Sequence, residues 1–274
     1  YLAMPRGCED AIINMLYSLK IDYEIVDNTN HGKPIGVTFK GKERDEQLDA
    51  INALMPFSNG VLSATTAFGK TVTAAALIAR RKTNTLILVH SKALLMQWHE
   101  RLSEFLDIDF TEDEISKKRG RKKAFSPVGC LDSTSNTLHG VIDIALMQSC
   151  FENDEVKPFI KGYGMVIVDE CHHVSSITFE NVLKHVTAHY VYGLTATPIR
   201  KDGLQPIIFM QCGPIRFSAD AKAQIQKQSF QRYLVPRFTS YRPVTDDKQS
   251  FTELSQSLAE SEIRNNLIVE DVLN

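Results

Sequence analysis

The chain has 274 residues, 43% apolar and 23% charged, with 31 Lys+Arg against 33 Asp+Glu; this balance excludes a collagen-like, an intrinsically disordered or a disulfide-scaffold protein and gives one large or two small domains. A formal charge of −2 points to no partner, because a basic surface built locally does not register in the total. The five cysteines form no Cys-x-x-Cys pair and read as reduced thiols, and apolar runs such as residues 74–79 fall far short of the ~20 residues that span a bilayer. A cytoplasmic protein with no membrane partner is expected. The start at Tyr1 instead of methionine, and the end at Asn274 within a helical pattern, suggest a piece of a longer protein.

Residues 6–19 carry Ile12, Ile13, Leu16 and Leu19 at helical spacing, and apolar runs at 21–26 and 35–39 flank the turn-forming Asn28-Thr-Asn-His-Gly32, which predicts a helix and a β-hairpin. From residue 43 the rhythm becomes an alternation of helix and strand. A helix over 43–55 places Leu48, Ile51 and Leu54 on one face and stops at Pro56. A strand at 61–64, an Ala-rich helix at 71–80, a strand at 85–90 and a helix at 93–106 follow. Trp98 falls with Leu94, Leu95, Leu102 and Phe105 on one face of that last helix, as core packing requires.

Residues 111–140 lose periodicity and contain the basic run Lys117-Lys-Arg-Gly-Arg-Lys-Lys123, which suits either a solvated loop or phosphate contacts. Further strands are expected at 141–147, 165–169, 190–195, 206–212 and 232–241, and one or two helices at 251–274. Continuously apolar strands such as Leu86-Ile-Leu-Val89 indicate a mostly parallel sheet sandwiched by helices, an α/β fold. The division expected is a small α+β N-terminal accessory unit at 1–41, the α/β domain at 42–245 and a helical linker at 246–274.

Three stretches carry chemistry. Ala64-Thr-Thr-Ala-Phe-Gly-Lys-Thr71 lies between a strand and a helix, the setting of a phosphate-binding loop. There backbone N–H groups and the helix N-terminus cradle phosphates, Lys70 neutralises their charge and the Thr71 hydroxyl ligates Mg²⁺. Asp169-Glu-Cys-His172 closes an apolar strand, and adjacent carboxylates at such an end are costly unless they hold a metal or a proton. Asp169 is expected to hold Mg²⁺ and Glu170 to polarise the attacking water. A zinc site made of Cys171, His172 and His173 is disfavoured, because three consecutive residues converge poorly on one tetrahedral ion. The third stretch, Gly193-Leu-Thr-Ala-Thr-Pro198, puts two hydroxyls one residue apart at another strand end. His99, His139 and His185 have no partners at ligand spacing.

The phosphate loop, the Asp-Glu-Cys-His box, the Leu-Thr-Ala-Thr-Pro element and Gln47 in Glu43-Arg-Asp-Glu-Gln47, in this order, resemble the first RecA-like motor domain of superfamily 2 helicases of the DEAD/DEAH type over residues 41–198. Leu88-Val-His-Ser-Lys-Ala-Leu-Leu-Met-Gln-Trp98 and Thr195-Ala-Thr-Pro-Ile-Arg-Lys-Asp-Gly203 are similar to the xeroderma-pigmentosum-B-like repair helicases and the restriction-enzyme motor subunits. The resemblance implies an ATP- and Mg²⁺-dependent helicase or translocase, acting on nucleic acid, with double-stranded DNA favoured over RNA.

By that resemblance Gln47 reads the adenine edge, Thr66, Ala67, Phe68, Gly69, Lys70 and Thr71 hold the nucleotide, and Lys70, Asp169 and Glu170 serve hydrolysis. His172, Thr195 and Thr197 couple nucleotide state to the nucleic-acid surface, and His90, Ser91, Gln148, Ser149 and Arg200 face nucleic acid. Arg200-Lys201-Asp202 stands where the repair helicases carry Arg-Glu-Asp, with the middle sign reversed. Ala67 replaces a usual glycine and Thr65 a frequent proline; an added methyl costs up to about 1 kcal/mol where φ is positive. The arginines that complete the family's hydrolytic site come from a second RecA-like domain, so this chain alone is expected to hydrolyse ATP poorly. A catalytically silent scaffold is the competing reading. A P-loop small-molecule kinase has no use for the Leu-Thr-Ala-Thr-Pro element or Gln47.

Overall fold

The computed structural model describes residues 4–109, 126–153, 155–172, 177–197, 205–219, 235–239 and 250–273. Tyr1–Lys227 form one compact unit and Gln228–Asn274 a second. The first is built on an all-parallel sheet. Among the described residues its strands are β2 (Asn59–Ser63), β3 (Thr85–Val89), β5 (Gly129–Leu131), β6 (Ile142–Leu146), β9 (Met165–Val168), β10 (Tyr190–Thr195) and β11 (Ile215–Ser218), in the order β11-β2-β10-β9-β3-β6-β5, while β7 (Phe151–Glu152) and β8 (Glu155–Val156) form a separate antiparallel pair.

Alternation along the strands feeds two cores. In β3, Ile87 and Val89 face one side with Ile167 of β9, while Leu86 and Leu88 face the other with Val166 and Val168. The first side is covered by α2 (Asp45–Leu54), α3 (Lys70–Arg81) and α4 (Lys92–Phe105) through Ile51, Leu54, Leu77, Ile78, Leu95, Trp98 and Leu102. Residues 73–79 of α3 are all buried, and four alanines among them let that helix lie close to the strands. The second side is covered by α5 (Ile177–His185) and α6 (Gln205–Cys212) through Val182, Leu183, Ile208 and Cys212. Both faces of each central strand are therefore dry, which is why those strands read as unbroken apolar runs.

Three expected elements differ. No hairpin forms between 21–26 and 35–39: β1 (Val37–Phe39) pairs antiparallel with β4 (Leu106–Ile108), Val37 opposite Ile108 and Phe39 opposite Leu106, while 21–29 run without strand pairing after α1 (Glu9–Ser18). The distant partner wins because the pairing packs Val37, 2% exposed, into the core beside α3. Residues 206–212 form α6 instead of a strand; a short apolar run does not by itself distinguish the two, and the i, i+4 pair Ile208 and Cys212 meets the core in a helix. Of the strand expected at 232–241, the described part, 235–239, has no regular structure. The basic run 117–123 lies outside the described residues.

The N-terminal segment is tied to the sheet by polar groups. The Arg6 guanidinium donates to the carbonyls of Ala188, at 3.0 Å, and Val186. Asp27 Oδ2 lies 3.0 Å from His31 Nε2 and 3.4 Å from His189 Nδ1, and the two imidazoles stack with centroids 4.1 Å apart. In the second unit, α7 (Phe251–Glu260) begins at a capping box between Ser250 and Glu253, and α8 (Glu262–Leu273) follows, as expected from its sequence.

Candidate nucleotide site

The chain leaves β2 at Ser63, makes a 3₁₀ turn over Thr66–Phe68 and enters α3 at Lys70 through Gly69, whose φ of 85° is left-handed. Glycine is needed there twice over, since a Cβ would also lie 2.6 Å from Gln47 Nε2. Ala67 is not among the described non-glycine residues with positive φ, so its methyl meets no left-handed backbone penalty. Phe68 is buried and packs on Phe217 at 6.0 Å, pinning the loop to the core.

Lys70 is 7% exposed; its Nζ donates to the Ala64 carbonyl at 3.1 Å and lies 3.6 Å from Glu170 Oε1. Thr71 stands beside it on the first turn of α3. Gln47, buried at the start of α2, donates from Nε2 to the Phe68 carbonyl at 3.0 Å and accepts the Arg44 backbone N–H at 3.0 Å. The Arg44 guanidinium also donates to the Phe68 carbonyl, and to that of Ala67 at 3.4 Å. Arg44 has no motif of its own in sequence; its place one helical turn before Gln47 is the signal that it reaches the same loop.

Asp169 follows the last residue of β9, which is paired to β10 and β3, and is 6% exposed. Its Oδ2 accepts the indole N–H of Trp98 at 2.7 Å and its Oδ1 accepts the Glu170 backbone N–H at 3.0 Å. Burial pushes the Asp169 carboxyl above the usual carboxylate range, and the Trp98 hydrogen bond opposes that shift. Trp98 is core, as its helix face predicts, and also a polar partner of the site; the signal was that a buried indole N–H must be satisfied.

Glu170 adopts φ 46°, a left-handed conformation that costs a non-glycine residue on the order of 1–3 kcal/mol. Its Oε2 is buried and, among the described residues, makes no hydrogen bond of good geometry, lying 3.2 Å from His172 Nδ1. His172 Nδ1 is 3.0 Å from Thr195 Oγ1, which accepts the Thr197 backbone N–H at 3.1 Å. The Cys171 side chain turns the other way, into the core against Gly193, and burial pushes its thiol far above its usual value. It is not poised as a zinc ligand.

The structure therefore brings together Gln47, Thr66, Ala67, Phe68, Gly69, Lys70, Thr71, Asp169, Glu170, His172, Thr195 and Thr197. His90 and Ser91 follow β3, and Gln148 and Ser149 follow β6; the Gln148 amide donates to the His90 carbonyl at 3.3 Å, so these two segments meet. Arg200 lies outside the described residues. The site suits a nucleotide with a divalent cation: oxygen donors on Thr71 and Asp169 match a hard cation, the Lys70 ammonium and the start of α3 suit phosphate, and among the described residues Glu170 offers a buried oxygen without a hydrogen bond.

Residues 40–200, which hold this whole constellation, match the family described as Type III restriction enzyme, res subunit. The chain belongs to this family. It carries the first motor domain of a superfamily 2 helicase, close to the xeroderma-pigmentosum-B-like enzymes. It is 33% identical over 184 residues to "Putative helicase 109L" of Invertebrate iridescent virus 3, an alignment covering 66% of this chain and 53% of that protein. It is 27% identical over 200 residues to "DNA 3'-5' translocase XPB2" of Sulfurisphaera tokodaii, covering 73% of this chain and 41% of that protein. The chain thus spans about half the length of the curated relatives it matches. In fold it is similar to the UvsW helicase from bacteriophage T4, with a TM-score of 0.54 at 14% identity over 78% of this chain and 79% of that one.

Proposed function

We propose that this chain is the ATP-binding lobe of an ATP-dependent helicase or translocase that uses Mg²⁺, moves on double-stranded DNA and is completed by a second RecA-like domain of the same protein. The observation that carries this reading is the polar connection from Lys70 through Glu170 and His172 to Thr195 and Thr197, with steps of 3.6, 3.2, 3.0 and 3.1 Å. It joins the phosphate loop to a second strand end, which a motor needs for transmitting nucleotide state and a simple kinase does not. The relatives' printed names support DNA as the track.

In this reading Gln47 reads the adenine edge, exchanging its bond to the Phe68 carbonyl for one to the base. Lys70 turns from Ala64 and Glu170 towards phosphate, which releases Glu170 to hold a water molecule and take its proton at Oε. Thr71 and Asp169 hold the metal, whose charge offsets the negative charge developing on the phosphoryl oxygens. His90, Ser91, Gln148, Ser149 and Arg200 contact the nucleic-acid backbone. The nucleotide domain spans residues 42–245, with 1–41 as an accessory and 246–274 leading to the second lobe. No described helix is long and apolar enough to cross a membrane.

The decisive experiment measures ATP turnover of the full-length protein against duplex DNA, single-stranded DNA and RNA at several salt concentrations, with Glu170→Gln alongside. Duplex-stimulated turnover that falls at least about 100-fold in the variant, with ATP binding retained, is expected. Equal stimulation by RNA reassigns the track. A variant indistinguishable from the parent makes the lobe a scaffold.

A further inference from the structure

The only tryptophan in the chain is buried, at 1% exposure, and its indole N–H points at the carboxylate at the end of β9. Asp169 has two oxygens and, among the described residues, two protein donors: its own neighbour's backbone N–H on Oδ1 and Trp98 on Oδ2. The backbone donor is the N–H of Glu170 itself, a residue in a left-handed conformation. Trp98 is the donor that comes from elsewhere, packed in the core among residues of α4.

The same helix starts at the segment assigned to nucleic acid. Ser91 caps α4, its Oγ accepting the Leu94 N–H at 3.3 Å, and the preceding His90 carbonyl is held by Gln148. Trp98 lies seven residues beyond Ser91, two turns or about 10 Å along a continuous helix. A shift of α4 therefore carries the indole with it.

We propose that Trp98 is a positioning residue of the nucleotide site: its indole N–H fixes Oδ2 of Asp169 so that the carboxylate presents its remaining lone pairs to the metal, and α4 thereby links the nucleic-acid segment at 90–91 to the metal-holding carboxylate. This rests on the reading of Asp169 as that carboxylate. Partners that orient a metal ligand from behind are worth about 10- to 100-fold in metal affinity, and a buried oxygen that loses its donor has no water to replace it.

The test replaces Trp98 with 3-benzothienylalanine, which keeps the bicyclic shape and lacks the N–H, with Trp98→Phe as a second variant and Asp169→Asn as control. Mn²⁺ binding is followed by electron paramagnetic resonance in the presence of ADP, and ADP binding is measured separately without metal. Both position-98 variants are expected to bind Mn²⁺ at least 10-fold more weakly and to keep metal-free ADP affinity within twofold. Unchanged Mn²⁺ affinity in the benzothienyl protein, with Asp169→Asn impaired, overturns the positioning role alone. Unchanged Mn²⁺ affinity in Asp169→Asn overturns the underlying site reading. In the full-length protein, duplex DNA is expected to change Mn²⁺ affinity more than threefold with tryptophan present and less than twofold with the analogue; equal changes, or none in either, overturn the link through α4.

Discussion

Asp169 is a carboxyl group held in the protein interior. Burial raises its carboxyl, so folding favours the protonated acid, and the stabilisation it gives the ligand-free chain is lost as pH rises from the ordinary carboxylate range through the raised value. Asp169→Asn cannot ionise. The difference in melting temperature, variant minus parent, is therefore expected to grow as pH rises above the ordinary carboxylate range in scans without nucleotide or metal, and a constant difference would contradict the raised carboxyl. Gly69 makes the complementary point for backbone. Gly69→Ala places a Cβ 2.6 Å from Gln47 Nε2 on a left-handed residue, and a loss of about 1–2 kcal/mol in chemical denaturation, together with weaker ATP binding, is expected.

The elements around the site are held by side chains that bridge chain ends. Arg81, at the C-terminus of α3, donates to the carbonyls of Met55 at 2.8 Å and Phe57 at 2.9 Å beyond α2, bonds the Tyr192 hydroxyl and lies 4.1 Å over the Tyr190 ring. This one guanidinium ties α2, α3 and β10 together, so α3 presents Lys70 and Thr71 from a fixed base. Arg81→Ala is expected to destabilise by about 2–3 kcal/mol, because the carbonyls left behind are partly buried, whereas Arg81→Lys recovers only part of that loss for want of the planar fork. Urea denaturation of the two variants checks the order. The motifs of α2, the phosphate loop and β9 were legible in sequence because each is encoded by a few neighbouring residues. Arg44 carries only its place one turn before Gln47 as a signal, and Trp98 only the need of a buried indole N–H for a partner; which group each reaches is decided through space, for Trp98 across 71 positions.

At the scale of the whole molecule, the N-terminal residues are part of the same compact unit as the sheet. Arg6 bonds the 186–188 carbonyls, a Cβ on Gly7 would collide with the Phe209 carbonyl, and Val37 is buried beside α3. Removal of residues 1–41 is therefore expected to lower the melting temperature by roughly 5–15 °C, equivalent to a few kcal/mol, and a truncated chain that melts with the parent would show the segment to be dispensable. The cysteines report the same cooperativity. Cys150, Cys171 and Cys212 are buried, with the Cys150 and Cys212 thiols each pushed up to about 12 by burial. They are expected to react with a thiol reagent at about pH 8 only as fast as the unit unfolds.

Composition, periodicity and motif order determined the α/β class, the phosphate loop, the carboxylate pair and the motor family, because each depends on local spacing that the chain carries wherever it folds. Helix or strand for 206–212, the partner of 37–39 and the second role of Trp98 were decided only by tertiary packing. In each case residues far apart in sequence compete for one buried position, and neither the burial of an apolar side chain nor the satisfaction of an indole N–H can be assigned until the partner across the core is in place.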